Sequence, residues 1–356
     1  MTLHLRAVLL PDEEERDLWV ADGHVTFEPV AGAETVATGG WAIPGLVDAH
    51  CHIGLGPDAH AVDPEEARIQ AEMETEAGAL LVRDAGSPVD TRVLDHHDRA
   101  PRIIRAGRHL ARPKRYSPGL GLEIEPDDLP GAVAEQAKAG DGWVKIVGDW
   151  IDRSVGDLTP LWPLAALRAA VESAHANGAR VAVHTFGEEA LGDLVEAGVD
   201  SIEHGTGVTD DIAAVMAERR IALVPTLVNV DNFPGIADAA GKYPVYAERM
   251  RRLHASAHQR LRNAWEAGVP VYCGTDAGSI VAHGRVVDEV CALAAAGLPA
   301  ADALAAGSWA ARHWLSRPGL VEGAHGDFIV YDDDPRKDLR MLAHPRRLVL
   351  RGNVLR

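Results

Sequence analysis

The sequence predicts an α/β fold: a (β/α)8 (TIM) barrel over residues 44–315, with a small β-sandwich domain built from both chain ends, residues 1–43 plus 316–356. Three observations carry this. Eight short apolar runs alternate with stretches of helical period, the pattern of a parallel sheet covered by helices. Eight is also the number at which such a sheet closes. The two ends fall outside the alternation and read as short strands with turns, each too small to bury a core alone.

At the N-terminus those strands are "LHLRAVLLP" and "LWVADGHVTFEPV"; at the C-terminus, "AHGDFIVYDDDPRKD" and "RRLVLRGNVL". Pairing the two ends is the economical way to give both a core. The barrel runs follow in order: "PGLVDAH", "ALLVRDAG", "RIIRAG", "GWVKIVG", "RVAVHTFG", "DSIEHG", "IALVPTL" and "VPVYCGTDAG". Between them lie helical stretches at Pro64–Gly78, Asp127–Gly140, Leu164–Gly178, Glu188–Gly198 and Val245–Gly268. Each ends on glycine, as helix C-termini often do.

Composition narrows the class. Hydrophobic residues make up 47% and charged residues 25% of the 356 positions, ordinary for a soluble globular chain. No apolar run is long enough to cross a bilayer, and Met1–Leu10 is too short for a signal segment. A net charge of −18 argues against nucleic-acid and anionic-membrane partners. Three scattered cysteines make no disulfide framework, which fits a reducing cytoplasm. A small-molecule substrate is the expected partner, and a homo-oligomer stays open.

Polar residues at the strand ends point to chemistry. If Ile43 to His52 is extended, alternation puts His50 and His52 on one face and Cys51 on the other. Lys145 interrupts the fourth run, His184 and His204 end the fifth and sixth, and Asp276 ends the eighth. Any one of these has an ordinary use, as a core histidine, a snorkelling lysine or a turn aspartate. Six together, at strand ends that otherwise read as apolar, form the donor set of a metal site at the barrel mouth.

With those residues in view, the chain resembles the amidohydrolase superfamily of metal-dependent hydrolases. "PGLVDAHCH" is similar to its first-strand metal motif and "GTDAG" to its eighth-strand motif. "VAVHTFG", "GVDSIEHGTG", "IALVPTL" and "HGDFIVYDDDP" resemble the imidazolonepropionase-related and prolidase-like (Xaa-Pro dipeptidase-like) members, from Trp41 to the C-terminus. The resemblance implies two divalent metal ions, Zn2+ favoured. His50, His52 and Asp276 would bind one ion and His184 and His204 the other, with Lys145 bridging as a CO2-derived carbamate. It further implies hydrolysis of an amide C–N bond of a dipeptide, an N-acyl amino acid or a cyclic amide, with Asp276 moving the proton. A mononuclear deaminase or a lactone or ester hydrolase on the same scaffold is the alternative.

Substrate contacts are drawn from two loops. After the third run, relatives often carry Gly-Gly-His; here "GLG" stands instead and His109 is the imidazole of that loop. Tyr116 and Arg153, with Lys114 and Arg115, are candidates for a substrate carboxylate. Trp150 and Trp162 line the pocket or pack among helices. Arg83 and Asp84 read as a buried ion pair behind the metal ligands. His283 borders the pocket or caps the next helix, His96 and His97 lie on the surface, and Cys273 and Cys291 pack.

Overall fold

The computed structural model describes residues 2–57 and 59–356. Seven of the eight expected barrel runs are strands. Leu46–Cys51, Ala79–Asp84 and Arg102–Arg105 form a three-stranded parallel sheet. A six-stranded sheet runs Ala222–Val224, Ser201–His204, Arg180–Thr185, Trp143–Val147, Leu110–Ala111, Leu122–Glu123. Every residue of Leu46–Cys51, Ala79–Asp84 and Trp143–Val147 is buried. That is the environment parallel strands need, with both faces covered.

The eighth run departs from expectation. "VPVYCGTDAG" is not a regular strand but an extended segment held by single bridges, Val271 to Leu223 on one side and Ala277 to Cys51 on the other. The cause is local. Thr275 N–H and Asp276 N–H both donate to the His50 carbonyl, at 3.1 and 2.7 Å, and Asp276 takes a left-handed φ of 61°, which breaks the ladder. Gly274 sits so close that a Cβ there would lie 2.8 Å from His50 N. The segment still links the two sheets, since Ala49 N–H reaches Cys273 O and Tyr272 N–H reaches Leu223 O. The result is a barrel-like α/β arrangement.

The helices begin and end where their sequence signals lie. Pro64–Glu76 opens with the Asp63 side chain accepting the Glu66 N–H at 2.9 Å. Leu191–Ala197 ends at Gly198 with φ 84°. Pro244–Glu266 buries Met250, Leu253, Ala257, Leu261 and Ala264, one apolar stripe at helical spacing.

The two chain ends contribute strands to one seven-stranded sheet. Its order is Asn353–Val354, Arg347–Leu350, Phe328–Tyr331, Glu34–Ile43, Leu3–Leu9, Glu14–Ala21, His24–Thr26. The seam between the two ends is antiparallel, with Ile329 opposite Ile43. No helix among the described residues is long and apolar enough to cross a membrane.

Candidate metal centre

The six polar residues at the strand ends converge. His50 and His52 leave the same face of the first strand, and their Nε2 atoms lie 3.1 and 2.9 Å from Asp276 Oδ1. Lys145 Nζ is 3.5 Å from His50 Nε2. The His204 ring centroid is 4.9 Å from that of His50 and 4.6 Å from that of His184. All but Asp276 are at most 4% exposed. Ligand atoms of His50, His52 and Asp276 lie within 4.8 Å of one another, a separation one ion can span.

Backbone conformation, not alternation alone, brings two of them in. In the parallel register Glu203 stands opposite His184, and His204 opposite Thr185. Simple alternation would therefore send His204 to the face away from Glu203 and His184. It does not, because His204 has φ 65°; Thr226 and Asp276, ending the next segments, have φ 46° and 61°. Left-handed conformations at non-glycine residues cost about 1–3 kcal/mol each. Three at one rim mark a place where the fold holds strain to aim side chains.

The imidazoles are fixed from behind. His50 Nδ1–H donates to Glu203 Oε2 at 2.6 Å and His52 Nδ1–H to the Gly86 carbonyl at 2.7 Å. Both therefore turn the Nε2 lone pair toward Asp276 and Lys145. His204 Nδ1 is hydrogen-bonded to Thr226 Oγ1 at 2.8 Å. His184 Nε2 is buried with no hydrogen-bond partner, 3.9 Å from Asp149 Oδ1, and Asp149 itself accepts from Phe186 N–H.

Glu203 was not anticipated, and it corrects the expected Arg83–Asp84 pair. Arg83 Nη2 lies 2.7 Å from both Glu203 oxygens, its Nε donates to Ala49 O at 2.6 Å, and Ser201 Oγ donates to the same carboxylate. Asp84, its neighbour on the strand, faces the other way and accepts from Gly86 N–H. Adjacent strand residues point to opposite faces, so they could not pair. The sequence signal was Glu203 itself, a charge inside the apolar run "DSIEHG".

Burial dominates the protonation of this centre. It pushes His184, His204 and His109 well below the usual histidine value, and Lys145 down to about 8. Burial alone would raise Asp276 and Glu203. His50 and His204 beside Asp276, and Arg83 and His50 beside Glu203, hold both well below the carboxylate range. Imidazole nitrogens, an aspartate carboxylate and a lysine brought down to about 8 form a donor set matched to divalent cations.

A cavity of about 260 Å³ opens onto these residues. Of the predicted substrate contacts, Tyr116 lines it and so does Trp150. His109 is buried behind, its ring 5.1 Å from both His52 and Tyr116 and its two nitrogens without partners; it is not among the lining residues. Arg153 is not brought to the cavity. It is exposed in the turn between the paired strands Asp149–Asp152 and Asp157–Pro160. Trp162 packs, donating its indole N–H to Val147 O at 2.7 Å. His283 donates to Glu74 Oε1 at 2.8 Å, with Cys51 Sγ 3.7 Å away, on the far face of the first strand. It neither lines the cavity nor caps the helix Val286–Ala295, whose cap position is Arg285.

A histidine- and carboxylate-rich centre on the strand ends of a barrel-like α/β fold defines a class, the metal-site hydrolases of this architecture. The family model for the amidohydrolase family matches residues 41–355, and the chain belongs to that family. Membership of that family makes it a hydrolase. The uncharacterised protein Rv2915c of Mycobacterium tuberculosis is 59% identical over 353 residues, covering 99% of this chain and 95% of that one. The crystal structure of a Xaa-Pro dipeptidase with bound methionine superposes with a TM-score of 0.84 at 22% identity, covering 99% of each chain. That of the ochratoxinase from A. niger gives 0.81 at 18%, covering 100% of this chain and 95% of that one. At such identities these two likenesses speak to the fold.

Proposed function

We propose that the chain hydrolyses an amide C–N bond of a small molecule at a two-metal centre. His50, His52 and Asp276 would hold one ion and His184 and His204 the other, with Lys145, as a carbamate, supplying an anionic ligand between them. The observation that supports this most is the meeting of Lys145 Nζ with His50 Nε2 at 3.5 Å, beside the His50–His52–Asp276 group and with both partners buried. An ammonium has no place next to a cation pair. Burial brings Lys145 to about 8, where its neutral amine adds to CO2 and releases a proton, turning a repelled cation into an anionic ligand.

Divalent ions, Zn2+ foremost, supply Lewis acidity and a lowered water pKa when bound. The chain's own part is positioning and proton transfer. Asp276, kept ionised by His50 and His204, accepts the water's proton and delivers it to the departing amine nitrogen. Glu203, Gly86 O and Thr226 hold the histidine rings in orientation. The starting set of substrates is a dipeptide, an N-acyl amino acid or a cyclic amide. A mononuclear site is the second reading, favoured by one fact: the group within 4.8 Å comprises His50, His52 and Asp276 without His184.

The same reading treats residues 44–315 as one closed barrel and residues 1–43 with 316–356 as the accessory unit. In that unit Leu3, Leu5, Phe328 and Val349 are buried in one cluster, a core of its own. The three unpaired cysteines accord with a cytoplasmic setting. Lys145→Ala tests the centre. Metal content and amide turnover should both fall, and added short carboxylic acids should restore part of each. Unchanged metal and activity would remove Lys145 from the site.

A further inference from the structure

We infer that the substrate is uncharged where it enters the cavity: a neutral amide bearing an aromatic or branched apolar group and no free carboxylate. This deepens the hydrolase reading above and rests on it. The cavity walls are Leu55, Leu120, Trp150, Phe186, Ile236 and Ile280. Among the described lining residues Lys145 is the one lysine or arginine, and it lies in the metal centre beside His50. The polar groups that remain, Tyr116, Ser117, Asn229, Tyr246 and Ser279, are neutral and suit carbonyl or amide partners.

Nearby arginines are engaged elsewhere. Arg115 Nη2 donates to the carbonyls of Trp150 and Thr159, both at 3.0 Å, and its Nη1 sits 3.4 Å from Asp152. Arg112 lines a separate hollow on the other side of Tyr116 and Ser117, 3.5 Å from Glu125. Arg153 is exposed. A carboxylate entering the main cavity would lose its water and find no lysine or arginine outside the metal centre to pair with. An aromatic or branched group finds the reverse. Trp150 stands edge-on to Tyr116 at 4.7 Å and 5.2 Å from His184, with Phe186 at 4.4 Å on the same imidazole. A ring placed there packs edge-to-face beside the reacting centre. Prolidase-like substrates with a free C-terminal carboxylate are thereby disfavoured, and the cyclic amides of the starting set, or amides blocked at that end, are favoured.

The test uses the full chain loaded with Zn2+ and two probes of matched shape, para-acetamidobenzamide and para-acetamidobenzoate, which differ in a neutral carboxamide against a carboxylate. Binding is measured by calorimetry and hydrolysis by release of the arylamine. The benzamide should bind roughly tenfold or more tightly and be cleaved in preference. Ile280→Arg places a cation at the exposed lip and should shrink or invert that ratio. Equal or tighter binding of the benzoate to the wild type, an unmoved ratio in Ile280→Arg, or no binding of either probe overturns the inference. If the benzamide binds preferentially but neither probe releases amine, the inference stands and the hydrolase reading fails for acyl arylamines.

Discussion

Glu203→Gln removes one charge and no volume from the support of the centre. Glu203 is fully buried and touches Arg83 through both oxygens at 2.7 Å and His50 Nδ1 at 2.6 Å. Breaking a buried pair by neutralising one partner costs about 3–5 kcal/mol, because the other charge stays in a poor solvent. At about 2.1 cal/mol/K of unfolding entropy per residue, the 356 residues carry roughly 0.75 kcal/mol/K. Tm of the metal-free protein should then fall by roughly 4 to 7 °C. The second effect is on the ligand. The carboxylate behind His50 makes its Nε2 a stronger donor, and losing such a partner typically costs about 10–100-fold in metal affinity. Thermal unfolding of the chelated protein reads the first number, and competition with a chromophoric chelator reads the second. A variant that unfolds within a degree of wild type and binds Zn2+ equally would refute the idea that Arg83 and Glu203 form the buried support of His50.

Three further outcomes follow from the same geometry. Asp276→Asn should lower kcat by at least roughly a hundredfold while keeping much of the metal; near-wild-type turnover would take the proton-transfer role from Asp276. Thr226→Val keeps the β-branched shape at φ 46° but deletes the partner of His204 Nδ1, so metal affinity should drop by about 10–100-fold. Equal affinity would show that His204 needs no such anchor. Glu289 is buried, accepts the N–H groups of Leu227 and Val228 at 2.9 and 2.8 Å, and burial pushes its carboxyl up to about 8. Its folded value lies above its unfolded one, so between about 4.5 and 8 the native state holds a proton that the unfolded chain lacks. Stability should decline across that window as pH rises. Glu289→Gln, which is always neutral, should flatten the decline, and parallel stability curves for the two proteins would contradict this.

Much of the centre was legible because it rests on period-two geometry. His50 and His52 share a face by alternation, and Lys145 and His184 interrupt apolar runs that become buried strands. The alternation also showed that Cys51 turns away, where it meets Glu74 and His283. Other features depend on information no local pattern holds. His204 and Asp276 reach the site through left-handed backbone at 65° and 61°, so their motif could be recognised but their direction could not. Arg83 finds its partner 120 residues along, in Glu203, although strand alternation already forbade Asp84. The eighth run loses its ladder because two of its amides turn onto one carbonyl of His50. The cavity wall is assembled from Phe186, Ile236 and Tyr246 in separate loops and helices, and Arg153 stays out in a turn. Tertiary packing decides such contacts, and no short sequence motif encodes them.

Metal content per chain, by elemental analysis of protein produced with added zinc and bicarbonate, bears most directly on the central claim. The account predicts two ions per wild-type chain and a marked loss in Lys145→Ala. One ion per chain, unchanged by that substitution, would contradict the bridged pair and leave the mononuclear centre of His50, His52 and Asp276.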